Sequence, residues 1–253
     1  MISADVLICT LICRRTAYVL DIFLANQREI QQAYPGCRLI LATEEPDYVA
    51  ELKELLERYN LRGDVITFEV KKPDYAKSSV WNITCGRESH RQYVLAHQAA
   101  YMLLMDSDMV YDPQSINILK DRISGHNAVF SGFILRHDGT LGMGGGCLML
   151  DRDTIRRVSF RCFEFKNGEG ITEDEVLDAD LFQIRARVKK GIFLAIRHYR
   201  SREVFFDIVP GQISFFRGAA NSLPVRYVLV RTSQFFKHNI SGWLHNKLVR
   251  NRP

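Results

Sequence analysis

Tyr101-Met102-Leu103-Leu104-Met105-Asp106-Ser107-Asp108 decides how the chain folds, because five apolar residues run unbroken into two aspartates separated by a serine. Continuous apolar runs of this length belong to strands buried on both faces, as parallel strands are. In open α/β sheets, ligands sit beyond the carboxyl ends of such strands. If extended geometry persists, Asp106 and Asp108 point the same way, since alternate residues of a strand do. Two carboxylates there suit a hard divalent cation, Mg²⁺ or Mn²⁺, which keeps open positions for a diphosphate. Without its strand, the triplet reads equally as an acidic loop or a helix-capping pair. An EF-hand is excluded: Tyr111 stands where that loop needs glycine, and Asn117 where it needs the closing glutamate.

Upstream, strand-like and helix-like patterns alternate. Residues 6–12 are a continuous apolar run, and residues 16–34 follow with helical spacing (Leu20, Phe23, Leu24, Ile30) up to Pro35-Gly36. Residues 38–43 predict a second strand. Pro46-Asp47 then opens a helix with Val49, Leu52, Leu55, Leu56 and Tyr59 on one face. Residues 65–70 predict a third strand, and 87–100 a helix leading to the fourth. This alternation predicts an α/β fold with a doubly wound, mostly parallel sheet flanked by helices.

Downstream the pattern changes. Asp112-Pro113 starts a short helix, residues 128–135 read as a strand, and Asp138-Gly139 is a hairpin turn signal. A glycine-rich segment (142–146) precedes a short strand at 148–150. A helix over 173–190 carries Leu177, Leu181, Ile184 and Val188 as one stripe, with Gly191 as its stop. A last strand, 192–196, leads to His198. The expected layout is one domain over 1–207 that includes a small antiparallel element, and a separate C-terminal extension, 208–253.

Composition agrees with a globular chain. The 253 residues are 47% hydrophobic and 25% charged, enough for one large α/β domain. No apolar run approaches the ~18 residues of a membrane span, and the start has neither a basic region nor a cleavage site. Cys9, Cys13, Cys37, Cys85, Cys147 and Cys162 form no C-x-x-C pair, which predicts reduced thiols and a cytoplasmic setting. The sequons at Asn82 and Asn239 carry no weight without secretion. The net charge of +5 is uneven. After Asp207 there is no acidic residue, while Arg217, Arg226, Arg231, Lys237, Lys247, Arg250 and Arg252 are interleaved with Tyr227, Phe235, Phe236 and Trp243. Segment 208–253 is therefore expected to rest on an anionic membrane face; covering the sheet or forming homodimer contacts is the alternative. No nucleic-acid-binding module is present.

Further residues could carry chemistry. Glu173-Asp174-Glu175 opens a predicted helix, where acidic residues compensate the dipole, or where one serves as a general base. His198 is either an ordinary surface histidine or a third metal ligand beside the aspartates. Gly142 and Gly144-Gly145-Gly146 form an irregular turn or admit close approach to a sugar. No Gly-Lys-Ser/Thr follows them, so they are not a phosphate-binding P-loop, and no G-x-G-x-x-G follows the first strand. Arg87 and Arg91 lie one turn apart on a helix, either solvated or paired with a phosphate or Asp106.

In this order (strand into helix, arginine-bearing helix, apolar strand into Asp106-Ser107-Asp108, glycine segment into Cys147-Leu148-Met149-Leu150, Glu173-Asp174, then His198) the features resemble the GT-A fold glycosyltransferases, particularly the family 2-like group. The resemblance implies a Rossmann-like nucleotide-sugar half (1–112) and an acceptor half (113–207). It implies that Thr10 and Glu44 contact the nucleoside, and that Arg87, Arg91, Asp106, Ser107 and Asp108 surround a UDP- or GDP-linked sugar donor. Asp108 would be the main ligand of Mn²⁺ or Mg²⁺, with Asp106 and His198 beside it. Asp174, or else Glu173, would be the base of an inverting transfer to a glycan or lipid-linked acceptor. Gly144, Gly145 and Gly146 would flank sugar and acceptor. The Q-x-x-R-W signature of processive members is absent, so one sugar is expected per encounter. A nucleotidyltransferase acting on a sugar phosphate is the alternative; it would carry a glycine-rich loop after the first strand, where this chain has Thr10-Leu11-Ile12-Cys13-Arg14-Arg15. A nucleotide-sugar-binding protein without catalysis is the third possibility, opposed by retention of the acids and His198.

Overall fold

The computed structural model describes residues 4–132, 134–135, 141–142, 146–166 and 170–210. The apolar runs become β1 (Val6–Leu11), β2 (Cys37–Thr43), β3 (Gly63–Thr67) and β4 (Tyr101–Met105). Between them lie α1 (Leu20–Ala33), α2 (Val49–Arg58) and α3 (Val80–His97), the first two entered through short 3-10 turns. There follow β5 (Met109–Tyr111), α4 (Ser115–Ile123), β6 (Ala128–Ser131), β7 (Ile134–Leu135), β8 (Leu141–Gly142), β9 (Cys147–Asp151), α5 (Arg152–Arg157), β10 (Phe163–Glu164), β11 (Gly170–Ile171), α6 (Glu173–Gln183), β12 (Val188–Gly191), β13 (Ile196–Tyr199) and β14 (Phe205–Ile208).

Seven strands form one sheet in the order β12-β6-β9-β4-β1-β2-β3. β9 alone runs against its neighbours β4 and β6; every other pairing is parallel. Because strand residues alternate, the sheet has two apolar faces. Val6, Ile8, Leu39, Leu41, Leu103 and Met105 pack with Phe23 and Leu24 of α1, Leu52 of α2 and Ile116 of α4. Leu7, Cys9, Ile40, Met102 and Leu104 pack with Val94 of α3, Ile155 of α5 and Leu177 of α6. A smaller antiparallel sheet, β14-β13-β5, stands beside it. The expected α/β architecture is therefore present, and β14 runs one residue past the boundary expected at 207.

Several boundaries differ from expectation. The third strand begins at Gly63, and α3 begins at Val80, seven residues before the predicted start. The run 128–135 breaks at Gly132, whose φ of 132° a residue with a Cβ rarely adopts. Its remainder, β7, pairs antiparallel with β8; the Asp138-Gly139 turn between them lies outside the described residues. The helix predicted over 173–190 ends at Gln183, with Arg185 left-handed at φ 56°. Val188 then joins β12, which pairs in parallel with β6, and Gly191 is a strand residue rather than a helix stop. The open edge of β6 offers this segment backbone partners that isolated helix propensity cannot match. The strand expected at 192–196 falls at 196–199, so His198 lies within it, and a further strand, β14, follows.

All six cysteines are free, and burial pushes the Cys9 and Cys147 thiols upward. Among the described residues no helix is long and apolar enough to cross a membrane.

At the opposite end of the strands, Lys120 Nζ donates to Asp5 Oδ2 (2.6 Å) and Tyr34 Oη (2.7 Å), and the Tyr34 hydroxyl donates to the same carboxylate. Burial works to raise the Asp5 pKa, but these partners outweigh it and hold it below the usual value. A depressed carboxylate contributes stability above its unfolded pKa and loses it as pH falls through the folded one. Asp5→Asn is expected to cost about 1 kcal/mol at neutral pH, after discount for its partial exposure. Urea unfolding should show the difference vanish in acid below both pKa values.

Candidate functional site

Asp106-Ser107-Asp108 is the joint between the two sheets, since β4 of the large sheet ends at Met105 and β5 of the small one starts at Met109. Register then fixes what meets it. β13 pairs antiparallel with β5, placing His198 opposite Met109. The His198 Nε2 consequently lies 3.2 Å from Asp108 Oδ2, and the Tyr199 N–H donates to the Asp108 carbonyl at 2.8 Å. Ser107 is buried, its hydroxyl donating to Thr16 at 3.5 Å.

Two residues to which the sequence reading assigns no part in the site hold this joint. Tyr111 is buried; its hydroxyl accepts from the Asp106 N–H (2.8 Å) and donates to the Gly146 carbonyl (2.5 Å). The Tyr111 main chain is clamped in turn by the Asn26 amide of α1, at 2.8 and 2.9 Å. Gly146 must approach closely: a Cβ there would lie 2.8 Å from Met109 Cε and 3.1 Å from Asp106 Oδ2. Gly144 and Gly145 lie outside the described residues. No periodicity marks Tyr111 or Asn26, because their partners are backbone groups of distant elements.

The third participant is Arg87, buried on α3. Its Nη1 lies 2.8 Å from both Glu173 Oε1 and Asp174 Oδ1, and its Nη2 3.7 Å from Asp106 Oδ1. Burial works against its charge, but Asp174, Glu173 and Asp106 together raise its pKa above the ordinary value. Glu173 is pushed up to about 6 by burial, with Arg87 opposing and Asp174 adding to the rise. Burial likewise raises Asp106, against Arg87 and helped by Asp108 and Asp174. Of the opening acids of α6, Glu175 is a capping residue, accepting from the Thr172 N–H at 3.0 Å. Glu173 is sealed at 6% side-chain exposure, whereas Asp174 keeps 24% and so remains open to an incoming group.

The other expected residues divide. Thr10, one residue before the end of β1, is fully buried and so away from any nucleoside, its hydroxyl without a hydrogen-bond partner among the described residues. Glu44, just past β2, accepts from the Asn82 side chain at the start of α3. Arg91 is not at the site: its guanidinium is taken up by Glu88 and by the Ile155 carbonyl at 3.0 Å. One helical turn from Arg87, it faces α5 instead.

Among the described residues, four carboxylates (Asp106, Asp108, Glu173, Asp174) meet one buried guanidinium and one imidazole, a cluster whose acids a divalent cation would fit. Among the described residues no three His, Cys, Asp or Glu side chains converge as a preformed cage. Asp108 and His198, a carboxylate and an imidazole held together, are the residues that could hold a divalent ion here.

No protein-family model and no curated protein matches the chain. Solved structures do match. The mannosyltransferase PcManGT from Pyrobaculum calidifontis, in complex with GDP-Man and Mn²⁺, is similar with a TM-score of 0.52 at 10% identity, over 74% of this chain and 54% of that one. This chain therefore spans about half the length of that enzyme. TarS from S. aureus, in complex with UDP-GlcNAc, gives 0.48 at 10% identity over 74% and 55%. A 4-diphosphocytidyl-2C-methyl-D-erythritol synthase from Anaerococcus prevotii gives 0.48 at 10% identity over 87% and 99%. The fold is GT-A-like.

Proposed function

We propose that the chain is a metal-dependent glycosyltransferase that moves one sugar from a nucleoside-diphosphate donor to an acceptor hydroxyl with inversion. The observation that carries this reading is Arg87, which ties the aspartate triplet to the Glu173-Asp174 pair across the site. On this reading the acids that would face the diphosphate and those that would face the acceptor share one guanidinium, as transfer between two bound substrates favours.

Asp108 and His198 would hold Mn²⁺ or Mg²⁺, with Asp106 beside them, and the ion would neutralise charge developing on the departing diphosphate. Glu44, just past β2, would meet the nucleoside, whereas Thr10 is fully buried and makes no such contact. Asp174 would take the proton of the acceptor hydroxyl; Arg87, shared with Glu173, holds its carboxylate, and Glu173 lacks the exposure to reach the acceptor itself. Gly146 and its neighbours Gly144 and Gly145 would border the sugar. The acceptor would be a glycan or a lipid-linked saccharide, the latter served by segment 208–253 at an anionic membrane face.

A thermal-shift panel of nucleoside diphosphates with and without Mn²⁺ tests the reading. One nucleotide is expected to raise the unfolding midpoint by several degrees only with metal, through binding linkage. Asp108→Ala should abolish the increment. A response confined to nucleoside triphosphates would favour nucleotidyl transfer, and no response to any nucleotide would overturn the proposal.

A further inference from the structure

Two segments, 151–161 and 178–190, meet at the end of the sheet where β4, β6 and β12 begin, opposite the aspartate joint. Asn127 ties them. Its side-chain amide donates to Asp151 Oδ2 (2.9 Å), and its side-chain oxygen accepts from the Arg187 N–H (3.0 Å). Arg157 Nη2 adds a bond from the end of α5 to the Ile184 carbonyl just past α6 (3.1 Å). Arg152 marks the same end of the sheet, reaching the Ala99 carbonyl ahead of β4 (3.4 Å).

Together the segments carry eight Lys and Arg against four Asp. Each aspartate is already engaged. Asp180 pairs with Arg161 and Asp178 with Lys190, both at 2.6 Å. Asp151 caps α5 through the Thr154 N–H, and Asp153 lies 3.6 Å from Arg157. Lys189 lies on β12, the edge of the sheet, where lysine commonly blocks pairing with another chain. Left over are Arg156, Arg185 and Arg187, all exposed, whose side chains make no hydrogen bond or ion pair among the described residues. A cation at a helix carboxyl end is stabilising, but Arg157 already fills that place for α6. Arg185 stands at φ 56°, where glycine or asparagine is the ordinary occupant. Its N–H bonds the Phe182 carbonyl (3.0 Å), and the Phe182 ring is 81% exposed, the only large apolar side chain exposed among the described residues of either segment.

We infer that this arginine–phenylalanine patch binds single-stranded nucleic acid. A guanidinium pairs with phosphate through two parallel N–H donors and stacks on a flat base, neither of which lysine does. An exposed ring beside such cations offers a stacking surface that accepts any base. A bilayer fits less well, since it takes up several apolar side chains at once and only Phe182 is offered. An acidic peptide would meet the arginines and leave the ring unused. No recognised module is needed, because phosphate contacts support binding without regard to sequence.

The test is fluorescence anisotropy of a labelled single-stranded oligoribonucleotide with the full-length protein over a range of salt. Arg185→Gly/Arg187→Gln should weaken binding and flatten the slope of log affinity against log salt by about 1.4, since each phosphate contact on a single strand contributes roughly 0.7. Glycine suits the left-handed backbone at 185, so the fold is kept. Phe182→Ser should weaken binding about tenfold with the slope unchanged, because stacking releases no counterions. It should leave affinity for a duplex as it was, whose bases are already stacked. Unfolding midpoints matching wild type will certify both variants. Binding that neither variant alters would belong to the basic segment after residue 208 and would overturn the inference. So would displacement by polyglutamate as readily as by unlabelled RNA, or capture by phosphatidylglycerol vesicles without binding of the oligonucleotide. None of these results touches the nucleotide panel, so the two proposals fail separately.

Discussion

Asp174→Asn is expected to lower sugar transfer by about 10²–10⁴-fold, the usual worth of a positioned general base. The nucleotide- and metal-dependent rise in unfolding midpoint should survive, because the amide keeps the shape and leaves Asp108 and His198 untouched. Glu173→Gln is the necessary partner experiment. Glu173 touches the same Arg87 nitrogen at the same 2.8 Å, but is sealed from solvent. Its loss should therefore lower transfer less, through misplacement of Asp174. Single-turnover rates with saturating donor and metal would decide. If Glu173→Gln is inactive while Asp174→Asn stays within tenfold of wild type, the base assignment is reversed.

The second large effect falls on folding. Arg87→Met should destabilise the protein by about 3 kcal/mol at neutral pH, since its loss leaves the sealed Glu173 carboxylate without a cation, while Asp174 and Asp106 keep access to water. Glu173, Asp174 and Asp106 would then face one another without a cation. The pH dependence supplies a signature. Glu173 has a folded pKa of about 6, above its ordinary 4.5. Its protonated form therefore favours the fold, an advantage complete below the unfolded pKa and lost as pH rises through the folded one. The Arg87→Met penalty should accordingly shrink on moving from neutral pH towards pH 5. Combining it with Glu173→Gln should recover much of the loss. A penalty under about 1 kcal/mol in urea unfolding would show that the arginine is dispensable to the cluster.

What could be read from sequence was local. β1, β2 and β4 appear where unbroken apolar runs stand, because a doubly covered strand leaves no other composition. The 173–190 stripe misled for a physical reason. Leu177 and Leu181 do lie on a helical face, but Val188 continues the same spacing while answering to the open edge of β6. The start of α3 was hidden too: Trp81, Asn82 and Cys85 form no apolar stripe, being held instead through Glu164, Glu44 and the Lys71 carbonyl. At the site, each residue type was visible but not its partner. Arg87 and Arg91 look alike in the chain, yet one gathers three acids and the other braces α3 against α5. Tyr111 and Asn26 gave no signal, since a hydroxyl and an amide bonded to backbone leave no spacing behind.

His198 meets Asp108 across 90 residues of chain. For a polypeptide made from its N-terminus, the aspartate half of this pair emerges long before its histidine. The sheet strands β1 to β4 can associate during synthesis, while four carboxylates wait for their imidazole until β13 has left the ribosome. Long-range pairing of this kind is also slow to form. A nascent chain halted before residue 196 would thus own a hydrophobic sheet but only the aspartate half of this pair, so under the proposed function metal capture would lag behind collapse.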